Sequence, residues 1–347
     1  FSGKALMEKV DNLFDIFDEL LGEYSFDDHK RLVEIIRSAK SDMEDSIVPH
    51  GNHYVMARLQ SYQSRLGQFD ELTDGITYYR FLEQLLESVE KDPGEVAGRF
   101  RQVAERVFTR KNAFFNITST QKDYRKIEKR IAGTVAALSD KDWKVEEWNL
   151  KATPLNEGFL TASNVQHVGK GANLYELGFK YSGQFEVLKA LLRTGFLWDR
   201  VRVHGGAYGS GNSFDFFTGD YSLLSYRDPN LAETLAVYDE IADFLSHLEL
   251  PSEELTKIII GCVGKMDPPL TPDLKGKASM IDHLTGRTHE MKQKLREELL
   301  STQLGDLKGY APLFEKIRDE GHVCALGNED KLKKSKSTFS QLVKVFH

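Results

Sequence analysis

Arg202 and Tyr208 are side chains whose types and spacing could serve chemistry in this 347-residue chain. They bracket a glycine pair in the run Leu197-Trp198-Asp199-Arg200-Val201-Arg202-Val203-His204-Gly205-Gly206-Ala207-Tyr208-Gly209. An arginine offers five N–H donors and a tyrosine a neutral O–H. Both can donate to a peptide carbonyl or to the oxyanion of a tetrahedral intermediate. Neither is a ready zinc ligand. Gly205 and Gly206 remove side chains between the two donors, so that a substrate backbone can approach closely. An arbitrary Arg/Tyr pair is better read as a surface ion pair and a packed ring; the glycines between these two favour a site.

Other candidate chemistry is weaker. None of the ten histidines begins His-x-x-Glu-His or His-Glu-x-x-His. The nearest approach, His289-Glu290-Met291-Lys292-Gln293, puts an amide where a second ligand is needed, and an amide is a poor zinc ligand. It reads as solvated helix surface. His50 and His53 could meet on a helix, but no carboxylate or cysteine nearby in sequence completes a site, and Gly51 suits a turn or helix start. No metal is therefore expected in this chain. His204-Gly205-Gly206 has the form of a lipase oxyanion hole, yet the Gly-x-Ser-x-Gly nucleophile turn it requires is absent, which argues against a serine hydrolase. Gly261-Cys262-Val263-Gly264-Lys265 is too short for a P-loop and lacks its Ser/Thr. Gly169-Lys170-Gly171 lacks the third glycine of a dinucleotide site. Both read as turns.

The elements that must position Arg202 and Tyr208 follow from composition and periodicity. Hydrophobic residues make up 40% of the chain and charged residues 29%, the balance of a folded globular protein. The formal charge of -7 argues against a nucleic-acid partner. No apolar run approaches ~18 residues, so no transmembrane helix or membrane partner is expected. Two cysteines, Cys262 and Cys324, far apart in sequence, suit a reducing compartment. The chain opens at Phe1, already close to a helical pattern, which is the expectation for a segment of a longer protein.

Helix follows helix over the first hundred residues, at about 6–21, 27–47, 53–66, 78–89 and 94–108. Asn112–Ser119 reads as a strand and 121–138 as a helix. The polar stretch 139–156 is the best linker, which suggests a division into 1–145 and 146–347. Beyond it, 158–168 reads as a strand and 181–197 as a helix. Val201–Tyr208 and Ser213–Tyr226 read as strands joined by a turn at Gly209-Ser210-Gly211-Asn212. Asp228-Pro229 reads as a helix start, with Asp capping and Pro in the first turn, and one helix is expected over 231–248. Another follows Pro251 to about Gly264. Asp267–Pro272 reads as a rigid loop, 287–301 and 307–320 as helices, Val323–Leu326 as a short strand, and the chain from Glu329 as a terminal helix. The fold class expected is α+β, with a mainly antiparallel sheet flanked by helices.

Several spaced motifs then carry a resemblance: Val168-Gly169-Lys170-Gly171, Leu197-Trp198, Arg202-x-x-Gly205-Gly206-Ala207-Tyr208, Ser225-Tyr226-Arg227-Asp228-Pro229, Ile260-Gly261, Gly286-Arg287-Thr288 and Arg296-Glu297-Glu298-Leu299. In this order they resemble the C-terminal half of presequence-protease-like zinc peptidases of the pitrilysin/insulinase superfamily. The resemblance spans essentially the whole chain. It implies that 1–145 is the helical latter part of the family's third domain, without its opening strands, and that 146–347 is the fourth domain. It also implies two bowl-like halves around a closed chamber that admits unfolded peptides. The absent N-terminal half would hold zinc and the glutamate that activates water; Arg202 and Tyr208 would bind substrate and transition state. The expected partners are an unfolded peptide and the N-terminal half of the same polypeptide, and this chain alone would be inactive. The expected compartment is the cytoplasm in a bacterium, or otherwise the mitochondrial matrix or plastid stroma. A different class, a non-catalytic relative that binds peptides or core-complex partners, is compatible with the same motifs.

Overall fold

A computed structural model describes residues 1–22, 24–144, 147–150 and 154–346 of the chain. Two compact units result. One comprises Phe1–Lys40, Leu82–Trp148 and Pro269–Arg287; the other comprises Ser41–Phe81, Asn149–Pro268 and Thr288–His347. The linker expected over 139–156 and the division after residue 145 fall partly on residues 145, 146 and 151–153, outside the described set.

The first unit is helical. Its apolar stripes meet in a cluster of Leu32, Ile36, Val89, Val96 and Ala97, flanked by Phe26, Leu85 and Phe100. Asp92 caps the helix Pro93–Val107 by accepting from the Glu95 N–H at 2.9 Å, with Pro93 in its first turn. Arg130, on the helix Gln121–Ala137, reaches Asp15 at 2.6 Å and Asp18 at 3.2 Å on the helix Val10–Gly22. Asn112–Ser119 does not form the expected strand. Its aromatic and β-branched residues pack on a helix instead: Phe114 stacks on His283, and the Asn116 side chain donates to the Gly276 carbonyl at 3.2 Å. That helix, Pro272–Thr285, begins where a rigid loop alone was expected, because Pro272 suits a first helical turn as well as a loop.

The second unit holds a six-stranded sheet. Its strands are β1 (Glu157–Thr161), β2 (His167–Asn173), β3 (Gly209–Phe214), β4 (Asp220–Tyr226), β5 (His322–Asn328) and β6 (Gln341–Lys344), in the order β3-β4-β2-β5-β1-β6. The β2–β4, β2–β5 and β3–β4 pairings are antiparallel; β1–β5 and β1–β6 are parallel. The α+β class and mainly antiparallel sheet expected from the sequence are present. Side chains alternate across the sheet as a pleated strand requires. Gly169 on β2 faces the helix Gly51–Gln63, where an added Cβ would lie 2.6 Å from Leu59. Lys170 points to the other side and pairs with Asp239 at 2.5 Å. That side carries the main core, with Val168, Leu174, Phe185, Leu188, Leu192, Tyr221, Leu223 and Phe314 all buried. Cys262 and Cys324 are free and buried. Among the described residues no helix is long and apolar enough to cross a membrane.

Several boundaries differ from expectation. The 158–168 strand is two strands, β1 and β2. Gly209–Asn212 is not a turn but the start of β3, and the reversal falls at Asp215–Gly219. There the Asp215 carboxylate accepts from the N–H groups of Phe217 and Thr218, and Gly219 takes φ +85°. The 231–248 helix breaks at Glu240 into Ala232–Asp239 and Ile241–Ser246. Asp228 does not cap it: the helix begins later, and the buried carboxylate instead accepts from the Asn230 N–H at 2.8 Å and the Thr234 hydroxyl at 2.7 Å. A short helix, Glu329–Lys334, is followed by β6 rather than by more helix.

Candidate functional site

The site segment is the continuation of one helix. Gly183–Leu191 winds as an α-helix, and Leu192–Phe196 and Trp198–His204 carry it on with wider π-type turns. The Gly205 N–H closes the last one on the Arg200 carbonyl at 3.0 Å, five residues back. Val201–Tyr208 is therefore not the strand its Val201/Val203 alternation suggests. Burial of Leu192, Phe196, Leu197 and Val201 along one side holds the wide helix to the core. Such turns are uncommon and are frequently found at functional sites.

The glycine pair ends this helix for local reasons. A Cβ at Gly205 would lie 2.6 Å from the Val201 carbonyl oxygen, and Gly206 takes φ +80°, where a side chain is strained. The Asn230 side chain donates to the Gly205 carbonyl at 2.6 Å and anchors the turn. Ser210 and Asn212 on β3 donate to the carbonyls of Leu197 and Lys189, tying strand to helix.

Tyr208 and Arg202 are held separately. The Arg202 guanidinium lies 3.9 Å from the centre of the Trp198 ring, a cation–π stack. Tyr208 is 66% exposed, yet its position is tightly defined. Its N–H donates to the Arg227 carbonyl at 3.3 Å, extending the β3–β4 ladder by one residue. Its ring meets Tyr226 edge-on, with centroids 5.7 Å apart. Tyr226 in turn rests on His167, at 5.3 Å. His167 is fully buried, its Nε2 3.2 Å from the Val48 carbonyl, and the Gly51 backbone lies so close that any side chain there would run into the imidazole. Burial pushes the His167 pKa down to about 4, so the ring is neutral at pH 7 and Nε2–H is the donor. A column runs outward from Gly51 through His167 and Tyr226 to Tyr208. Neither His167 nor Tyr226 stands out in the sequence; only the adjacency of Tyr226 to Asp228-Pro229 draws attention to that stretch.

The other sequence candidates are dispersed. His289 and Glu290 are exposed on the helix His289–Leu300, while Gln293 bonds Glu297 and Arg296. His53 pairs with Asp74 at 3.1 Å. His204 Nδ1 lies 2.9 Å from the Asp199 carbonyl. Among the described residues no group of three or more His, Cys, Asp or Glu side chains could hold a metal ion.

Comparison with known proteins bears on the family of the chain. Residues 156–329 match the model of the PreP C-terminal domain, and residues 1–85 match the family described as associated with peptidase family M16, subfamily C. Protein HypA of Clostridium perfringens is 33% identical over 344 residues, covering 99% of this chain and 35% of that protein. Presequence protease 1, chloroplastic/mitochondrial, of Arabidopsis thaliana is 33% identical over 329 residues, 94% of this chain and 30% of that protein. The chain thus spans about a third of the length of these relatives. The peptidase M16 inactive domain from Pseudomonas fluorescens has a similar fold, with TM-score 0.61 at 12% identity over 92% of this chain and 75% of that one. Pitrilysin gives TM-score 0.56 at 11% identity over 92% of this chain and 33% of that one. With half of its residues, 156–329, matching that C-terminal domain, the chain belongs to the presequence protease family.

Proposed function

We propose that the chain is the non-zinc part of a zinc metalloendopeptidase that degrades unfolded peptides inside a closed chamber. The observation that carries this reading is Tyr208. Its side chain stands exposed on a ring column rooted in the core, with its hydroxyl available to a ligand. A pre-positioned donor of this kind stabilises charge that develops on a carbonyl oxygen during attack, without reorganising at that moment. Arg202, stacked on Trp198, keeps its N–H edge available and supplies a second donor, to the peptide carbonyl or the oxyanion. Gly206 leaves bare backbone two residues before Tyr208 for an extended peptide, whereas Gly205 serves the helix end, where a Cβ would meet the Val201 carbonyl oxygen. Metal ligands and the base that activates water would come from the N-terminal half of the same polypeptide. The name of the Arabidopsis relative supports presequence peptides as substrate, and its chloroplastic/mitochondrial designation supports the mitochondrial matrix or plastid stroma, while a bacterial relative keeps the bacterial cytoplasm as the alternative.

The test is peptide hydrolysis by the full-length protein, wild type beside Tyr208→Phe, with and without chelator. Loss of one transition-state donor should lower kcat by about 10²–10³. Chelator-sensitive activity unaffected by Tyr208→Phe removes Tyr208 from the site. A wild type with no activity points instead to a non-catalytic, peptide-binding or core-complex relative.

A further inference from the structure

Arg227 adopts a backbone conformation that arginine rarely takes, with φ +48°. In a regular strand Tyr226 and Arg227 would face opposite sides of the sheet. The left-handed turn at Arg227 breaks that alternation and folds its guanidinium back over the Tyr226 ring, 5.3 Å from the centroid. Tyr208 leans on the same ring, and its N–H bonds the Arg227 carbonyl. The chain thus accepts a strained residue where glycine would sit freely, and places a cation on the same ring that Tyr208 touches. Segments on both sides hold the turn: Asp228 exchanges two backbone hydrogen bonds with Gln166, at 2.8 and 2.7 Å.

Charge pairing distinguishes Arg227 and Arg202 from Arg200. Arg200 is paired with Glu240, whereas Arg202 and Arg227 make no ion pair among the described residues. Each lies on an aromatic ring, Trp198 or Tyr226, which occupies the face of the guanidinium and leaves its N–H edge open. An open guanidinium edge matches a carboxylate in two-point fashion. We infer that Arg227 is a substrate-binding residue that recognises a carboxylate of the bound peptide, from an acidic side chain or the C-terminus, beside the carbonyl held by Tyr208.

This inference rests on the peptidase reading, and the experiment separates the two. Hydrolysis by the full-length protein is measured on three peptides of one sequence: one with an Asp and a free C-terminus, one with Asp replaced by Asn, and one amidated at the C-terminus. Wild type should favour the carboxylate-bearing peptide in KM over whichever neutralised peptide removes the recognised group. In Arg227→Gly and Arg227→Gln that preference should collapse by about tenfold or more, the scale of one charged hydrogen-bonded contact. Because glycine accepts the left-handed backbone, Arg227→Gly should keep its Tm within a few degrees of wild type. A preference retained in both variants, or absent from wild type, overturns the inference while leaving the peptidase reading intact. If wild type hydrolyses none of the peptides, that reading fails, and fluorescence anisotropy with the same labelled peptides decides Arg227 by itself. Equal Kd for all three peptides then overturns it.

Discussion

Tyr208 shows how one exposed side chain acquires a defined position. Its own ring buries little surface, so its placement comes from the neighbouring Tyr226 and, below that, His167. Tyr208→Phe keeps the ring and removes only the hydroxyl, so a loss in kcat with unchanged Tm reports the donor and not the fold. His167 carries a pH dependence of its own. In the unfolded chain it titrates near the ordinary histidine pKa of about 6.5, and in the folded protein near about 4. Between those values the unfolded state binds more protons, so stability is full above about pH 6.5 and falls as the pH drops towards 4. The linkage amounts to up to about 3 kcal/mol. Urea unfolding of wild type and His167→Gln at pH 6.5 and 4.5 checks this: wild type should lose more stability between the two pH values. Equal losses would show that His167 is protonated without cost.

At the scale of elements, the helix Gly51–Gln63 is the clearest case of packing overriding pattern. It buries Tyr54, Val55 and Leu59 but also Arg58, Ser61 and Gln63, so it has no single apolar stripe. Arg58 reaches Glu71 at 3.1 Å and Glu157 of β1 at 3.4 Å. Glu157 also accepts from the Tyr62 hydroxyl at 2.9 Å and the Gln341 amide at 2.6 Å. Burial pushes the Glu71 carboxyl up, and the Arg58 charge opposes it. Arg58→Ala would leave two buried carboxylates without their counter-charge and should destabilise by about 3–5 kcal/mol. Chemical denaturation measures this; a cost below about 1 kcal/mol would mean that water or rearranged neighbours replace the guanidinium. Helices with strong periodicity, such as Pro93–Val107 and Gln121–Ala137, were legible because one face alone is buried. The wide helix Trp198–His204 was not, because Val201 and Val203 have the spacing of a strand, and only the bonds back to Arg200 and its neighbours distinguish the two.

At the scale of the whole molecule, the zinc ligands are expected in another part of the polypeptide. Calorimetric titration of the isolated chain with zinc should show no tight site at one equivalent, and the chain alone should not hydrolyse unfolded peptides. One tight equivalent of zinc would overturn the assignment of the metal ligands to another part of the polypeptide. Chelator-sensitive hydrolysis by the chain alone would overturn its dependence on that part.

The sequence by itself determined the α+β class, the order of most helices, the lack of a His-x-x-Glu-His or His-Glu-x-x-His run and the ordered motifs that mark the family. These depend on local periodicity and residue type, which survive in one dimension. Arg202 and Tyr208 could be proposed as site residues for the same reason: they stand close in sequence around Gly205-Gly206. Tertiary structure alone decided which residues support them. His167, Tyr226 and Gly51 come from distant segments and meet only when the helix Gly51–Gln63 packs on β2 and the Tyr208–Arg227 hydrogen bond extends the β3–β4 ladder. The placement of Arg227 beside Tyr208 depends on a single backbone angle, held by the surrounding fold against the preference of its own residue type.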